Sequence, residues 1–147
     1  MTQTILAFDV GKSDPTGYYT DAGFGEIQYK TPKQYYKDIL ELITDYKPNI
    51  VAVLRPYGGN SHICYGQGKI CGIIELICDR YDIAFYDLKN DSHVKSTIFN
   101  HKKAIDNGIL EYFYEKNKEK ASIHTADAFV LHEYIRLFCK LKRSKNV

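Results

Sequence analysis

An aspartate inside an otherwise apolar stretch is the first residue in this sequence whose position suggests chemistry. Asp9 lies in "LAFDVG", between residues that favour a buried strand. A buried carboxylate is costly unless it is hydrogen-bonded, paired with a cation or bound to a metal. Gly11 follows, where the backbone can turn sharply, so Asp9 could alternatively cap that turn through its own side chain. Both interpretations, metal or acid–base chemistry and a turn cap, remain open from this stretch alone.

A histidine and a second aspartate form the next candidate pair, in "SIHTADAF". His124 and Asp127 are three residues apart, so on a helix they share one face. A carboxylate and an imidazole at this spacing could bind the same divalent ion. The alternative is a core histidine followed by an aspartate near a helix N-terminus, where the helix dipole favours negative charge.

Basic residues cluster before and at the start of an expected helix. Lys95 lies in "HVKS", Lys102 and Lys103 lie in "HKKA", and Lys89 precedes them. Such residues can contact phosphates or stabilise charge that develops at a scissile phosphate, or they can simply solvate the surface. The formal net charge is only +2, so the overall charge does not by itself indicate a nucleic-acid partner.

The stretch "GKS" does not form a nucleotide-binding loop. A phosphate-binding loop needs a glycine five residues before Gly11, where this chain has Leu6, and a helix after the loop. Strands are expected there instead, which argues against a nucleotide-binding regulator.

The elements that must position these residues alternate in a pattern typical of an α/β protein. Three strands come first, and helices then alternate with two further apolar strands, which predicts a mixed five-stranded sheet with helices on both faces. The expected strands cover residues 4–10, 16–20, 25–30, 50–54 and 82–88, and the expected helices cover residues 32–46, 61–79, 102–116 and 122–140.

Length and composition predict one domain, residues 1–147, with an ordinary hydrophobic fraction of 44%. There is no apolar run of about 18 residues and no signal peptide, so we expect a cytoplasmic protein of a reducing compartment. Cys64, Cys71 and Cys78 recur every seven residues. Neighbours about 10 Å apart along a helix cannot share a zinc ion or a disulfide. We expect small buried thiols, on a face that packs against either the core or a partner subunit.

Together these stretches resemble a known family. "FDVGKSDPTGYY" resembles the first hairpin of the RuvC-like Holliday junction resolvases of the RNase H superfamily, in which a core strand ends in Asp-x-Gly and Thr-Gly-aromatic opens the next strand. "SIHTADAF" resembles the last metal-binding helix of that family. "HVKS" and "HKKA" are similar to its basic segment, which assigns active-site roles to Lys95 and Lys103, with Lys102 as a further candidate.

The resemblance implies an RNase H-like fold and a protein of bacterial, phage or viral type. It also implies a homodimer that cuts four-way DNA junctions symmetrically. It implies two Mg²⁺ ions per site, with Mn²⁺ accepted, bridged by Asp9 and completed by His124 and Asp127. The expected DNA contacts are Lys89, Lys95, Lys102, Lys103 and Arg55.

One position departs from the family pattern. The strand "IVAVL" should end in a catalytic glutamate, and this chain has Leu54 there. Asp87, at the end of the next core strand, is the preferred substitute acid, ahead of Asp14 in the first turn. Glu75 lies too far along the intervening helix. The alternatives to an active resolvase are a non-cleaving relative that binds branched DNA and a different nuclease on the same fold.

Overall fold

The chain begins with a three-stranded meander and then alternates helices and strands. The computed structural model describes residues 3–11, 13–56, 61–90, 113–117 and 122–145. The strands are β1 (Ile5–Asp9), β2 (Thr16–Thr20), β3 (Gly23–Ile27), β4 (Ile50–Pro56) and β5 (Ala84–Asn90). The helices are α1 (Pro32–Tyr46), α2 (Ser61–Arg80), a helical segment α3 at residues 113–117, and α4 (Ile123–Lys145). None of the described helices is long and apolar enough to cross a membrane.

The five strands form one mixed sheet in the order β3-β2-β1-β4-β5. The meander β1-β2-β3 is antiparallel, whereas β4 runs parallel to β1, and β5 runs parallel to β4. The predicted α/β architecture is therefore confirmed. This order places the carboxyl ends of β1, β4 and β5 at one edge of the sheet, the edge at which α/β proteins usually place their sites.

Alternation along the strands divides the core into two layers. Ile5, Ala7 and Leu54 pack with α3 and α4 on one face, which we call the α4 face. Leu6, Phe8, Val10, Val51 and Val53 pack with α1 and α2 on the other, the α1/α2 face. Helices thus cover both faces, as the continuous apolar runs of β1 and β4 predict.

Most expected boundaries agree with the structure to within a few residues. Helix α1 begins where the sequence predicts, because Thr31 caps it: the Thr31 Oγ1 accepts a hydrogen bond from the Gln34 amide at 3.1 Å. Strand β5 starts two residues later than expected, because Asp82 adopts a left-handed turn with a φ of 56°. The expected helix at 102–116 lies outside the described residues, except for its last turn.

The evenly spaced cysteines of α2 face inward. Cys71 and Cys78 are both free and buried, and both belong to the core on the α1/α2 face. The prediction of small buried thiols is confirmed for these two, and the alternative that they face a partner subunit is wrong, because they point at the sheet. The side chain of Cys64 lies outside the described residues.

Candidate active site

A transverse row of paired residues crosses the sheet at the end of β1. Asp9 pairs with Gly17 on β2 and with Leu54 on β4. Gly17 in turn pairs with Glu26 on β3, and Leu54 pairs with Leu88 on β5. Paired residues on neighbouring strands project from the same side of a sheet. All five positions of this row therefore face α4.

Helix α4 begins directly on this row. A Cβ added to Gly17 would collide with the backbone carbonyl of His124 and would lie 2.6 Å from the Thr125 amide nitrogen. The Thr125 amide also donates a hydrogen bond to Ser122 Oγ at 3.2 Å, which makes Ser122 the N-cap of α4. The absence of a side chain at Gly17 thus lets the first turn of α4 rest on β2, beside Asp9.

This approach brings Asp9 and His124 into contact although they are 115 residues apart in sequence. His124 Nδ1 lies 3.3 Å from Asp9 Oδ2, and Asp9 is only 7% exposed. The hydrogen bond to Asp9 raises the pKa of His124, against the opposing effect of burial. The charges of Asp14 and Glu26 raise that pKa further, so carboxylates from other parts of the chain also act on the imidazole.

The second predicted carboxylate follows one turn along α4. Asp127 is 7% exposed and stands three residues after His124, on the same helix face. Within the described parts of the chain, no group of three or more His, Cys, Asp or Glu side chains lies close enough to hold a metal ion. The structure therefore brings Asp9 and His124 together, and it places Asp127 nearby on the helix without assembling all three into one cluster.

The position expected to carry a glutamate is occupied by a core leucine. Leu54 is 1% exposed and packs in the apolar layer under α4. It is the register partner of Asp9, so it stands on the same face of the sheet as that carboxylate. Leu88, the next residue of the row, is also apolar and packs against the same layer. On the β4 side, Asp9 therefore has no acidic neighbour in its row.

The preferred substitute acid is on the wrong side of the sheet. Asp87 pairs with Val53, and Val53 packs on the α1/α2 face. Asp87 therefore projects away from Asp9 and His124, and its assignment as the substitute is corrected: a shift of one residue along a strand reverses the side. Asp14, in contrast, is close enough to His124 for its charge to raise the pKa of that imidazole. Sequence reasoning missed Glu26, whose place depends on strand register.

The basic candidates fall mostly beyond the described residues. Lys95, Lys102 and Lys103 lie outside them, and so do the side chains of Arg55 and Lys89. The backbones of Arg55 and Lys89 are paired with each other near the carboxyl ends of β4 and β5. Those two residues therefore belong to the same edge of the sheet as Asp9.

Three-dimensional comparison finds the same fold in solved Holliday junction resolvases. RuvC of Thermus thermophilus superposes with a TM-score of 0.79 at 15% identity, covering 95% of this chain and 97% of that chain. RuvC of the same organism in complex with a Holliday junction substrate gives 0.77 at 13% identity, covering 96% and 97% of the two chains.

The yeast mitochondrial Holliday junction resolvase Ydc2 gives a TM-score of 0.60 at 12% identity, covering 99% of this chain and 82% of that chain. No protein-family profile and no curated protein sequence matches the chain. At these identities the likeness shows a shared fold.

Proposed function

We propose that this chain, as one nuclease domain spanning residues 1–147, is a metal-dependent endonuclease that resolves four-way DNA junctions. The observation that supports it most is the contact of Asp9 with His124 at the carboxyl end of the central strand. This contact occurs on a fold shared with RuvC, which has been solved with a Holliday junction substrate. No described feature other than this site combines buried carboxylates with an imidazole at the open edge of the sheet.

The donor atoms of the site suit one divalent ion. Carboxylate oxygens are the preferred ligands of Mg²⁺ and Mn²⁺, and an imidazole nitrogen is accepted more readily by the transition metal. Asp9, His124 and Asp127 would hold the ion, with Asp9 and His124 already in contact. When bound, such an ion activates a water molecule and neutralises charge on the scissile phosphate. The hydrogen bond between Asp9 and His124 holds these two groups against each other.

The two-ion arrangement that the resemblance implies fits less well. A second ion would need a carboxylate on the β4 side of Asp9, and Leu54 supplies no ligand there. The described residues therefore offer donor atoms for the first ion of the expected pair, from Asp9, His124 and Asp127, and none for the second.

The proposed substrate and assembly follow from symmetry and charge. A four-way junction has two equivalent strands to cut, which matches a two-fold homodimer. Lys95, Lys102 and Lys103 would contact phosphates, with Lys103 and Lys95 closest to the cleaved bond, and binding would weaken as salt increases. Arg55 and Lys89 would extend that contact along the edge of the sheet. Sedimentation at micromolar concentration tests the dimer: a monomer there contradicts it.

A non-cleaving junction-binding protein is the second candidate. The burial of Leu54 beside Asp9 favours it, because a missing ligand with an intact fold and intact basic segments would remove cutting and preserve binding. The two candidates make the same prediction about binding and opposite predictions about strand cleavage.

One assay separates them. A labelled synthetic four-way junction and a linear duplex of the same sequence are each incubated with the protein and Mg²⁺ or Mn²⁺. We expect symmetric nicks in the junction, reduced about a hundredfold or more in Asp9→Asn, because that change removes the charge of the central ligand. Asp45→Asn, an exposed acid on α1, is the matched control and should cut like the wild type.

Tight junction binding without nicks would support the non-cleaving candidate instead. Equal binding of junction and duplex, with no cleavage of either, would contradict both candidates.

A further inference from the structure

The turn that follows Asp9 is closed by one buried hydroxyl. The Gly11 amide donates to Thr16 Oγ1 at 3.2 Å, and Thr16 Oγ1 donates to the Gly11 carbonyl at 3.1 Å. Thr16 is 0% exposed, so water does not compete for these bonds. The two bonds tie the start of β2 to the residue two positions after Asp9.

A third hydrogen bond uses the remaining lone pair of that hydroxyl. The Tyr35 hydroxyl lies 2.8 Å from Thr16 Oγ1. A threonine hydroxyl has one proton and two lone pairs. Its proton is used by the Gly11 carbonyl and one lone pair by the Gly11 amide, so the remaining lone pair must accept the proton of Tyr35. Tyr35 is 0% exposed, and burial raises its pKa, which keeps that proton in place.

The same threonine precedes the glycine that lies against both Asp9 and His124. Thr16 is followed by Gly17, which pairs with Asp9 and supports the backbone of His124. Tyr35 reaches Thr16 from α1, and its ring packs in the core on the α1/α2 face, opposite to α4. The chain of hydrogen bonds from Tyr35 to Thr16 to Gly11 therefore ties the turn after Asp9 to the start of β2, next to Gly17, from the α1/α2 face of the sheet.

We propose that Tyr35 is a positioning residue for the Asp9 carboxylate and acts through Thr16. Because Tyr35 is fully buried, it would not contact an ion or DNA itself. It holds the Gly11 turn in one geometry, and this geometry aims Asp9 at His124. The catalytic part of this inference rests on the proposed function, whereas the structural part does not depend on it.

Tyr35→Phe tests the inference because it removes one oxygen atom and keeps the ring. Tyr36→Phe is the matched control, because the hydroxyl of Tyr36, the next residue of α1, accepts a hydrogen bond from Arg80 Nη1 at 3.2 Å and is not bonded to Thr16 or Gly11. We expect exchange of the Gly11 amide to become about fivefold faster in Tyr35→Phe, the factor that corresponds to one neutral hydrogen bond. The nitrogen-15 resonance of His124 Nδ1 should shift in the same variant. Neither change is expected in Tyr36→Phe.

Catalysis supplies the second readout. In Tyr35→Phe, kcat for junction cleavage should fall about fivefold or more while KM for the junction stays within about twofold, because binding contacts are unchanged and the carboxylate is less well placed. Thr16→Val should reproduce the loss, and Thr16→Ser, which restores the hydroxyl, should recover most of it.

Unchanged Gly11 exchange and an unchanged His124 resonance in Tyr35→Phe would overturn the inference, and so would equal losses of kcat in Tyr35→Phe and Tyr36→Phe. If the wild type does not cleave junctions, the proposed function fails, and the exchange and resonance measurements still decide the inference.

Discussion

At the carboxyl end of β1, a buried aspartate and a buried leucine stand side by side on the same face of the sheet. Asp9 is hydrogen-bonded to His124, whereas Leu54 contributes to the apolar layer under α4. An ionised side chain at position 54 would lose its hydration and would be repelled by the neighbouring carboxylate of Asp9. The leucine is therefore the stable choice in the metal-free protein, and only a second bound ion would favour an acid there.

This contrast predicts the effect of Leu54→Glu on metal binding. We expect the wild type to bind one Mn²⁺ per chain and the variant to bind two, because the new carboxylate lies next to Asp9 in the sheet. Without metal, the variant should lose about 1–3 kcal/mol of unfolding free energy from burying an uncompensated polar group. Calorimetric titration and urea unfolding with and without Mn²⁺ measure both effects.

Leu54→Gln is the control for Leu54→Glu, since it is polar at the same position but carries no charge. An unchanged number of bound ions in Leu54→Glu would show that position 54 does not reach the metal.

One of the two buried thiols described in α2, that of Cys78, gives a second prediction at the scale of one residue. Burial raises the pKa of Cys78 to about 12, so almost no thiolate exists near neutral pH. Iodoacetamide at pH 8 should label Cys78 in the native protein at least about a hundredfold more slowly than in urea. Peptide mass spectrometry resolves the site. Native labelling at the unfolded rate would place this face of α2 in solvent instead of against the sheet.

At the scale of elements, the site depends on how closely α4 can approach β2. Close contact between a helix backbone and a strand backbone requires a position without a side chain, and Gly17 is that position. Ser122 then caps the helix, and Thr125 Oγ1 donates to the Gly25 carbonyl at 3.5 Å. These contacts fix the first turn of α4, which carries His124.

Gly17→Ala should therefore move His124 away from Asp9. The added methyl group would overlap the His124 carbonyl, so α4 must move outward, at a cost of about 1–3 kcal/mol of unfolding free energy. Junction cleavage should fall by more than the loss of folded protein explains, because His124 moves away from Asp9. Urea unfolding and cleavage rates measured on the same preparations provide the comparison.

A second glycine substitution controls for the change in backbone freedom. A Cβ at Gly72 in α2 would meet no described atom within 4 Å, so Gly72→Ala should raise the unfolding free energy by about 0.5–1 kcal/mol. A gain in stability from both substitutions would show that α4 does not rest on Gly17.

For the whole molecule, the spacing of apolar residues and the residues that begin or end helices and strands are enough to predict the architecture. Short apolar runs indicate the core strands, and Thr31 with Pro32 marks the start of α1 at the observed residue. The apolar environment of Asp9 and the three-residue spacing of His124 and Asp127 identified the residues that the fold brings to one edge. Each of these signals involves residues that are close together in the chain, so a single sequence is enough to detect it.

The remaining features depend on long-range register, which a single sequence does not encode locally. Asp87 ends a strand, as expected, but its pairing with Val53 turns it to the opposite face. Glu26 joins the row of Asp9 only because β3 pairs with β2 in one particular register. Likewise, the bond between Tyr35 and Thr16 joins a helix to a strand across 19 residues.

The stability of the whole metal-free protein should depend on pH through His124. Its pKa is raised in the folded state, so the Asp9 contact contributes fully below about pH 6.5, the pKa of an unperturbed histidine. That contribution is lost as the pH rises through the raised pKa. With EDTA present, the difference in unfolding free energy between the wild type and His124→Gln should therefore be largest near pH 5.5 and shrink toward pH 9. Titrating groups that do not interact with His124 cancel in this difference. A difference that grows with pH would show that His124 meets Asp9 as a neutral ring.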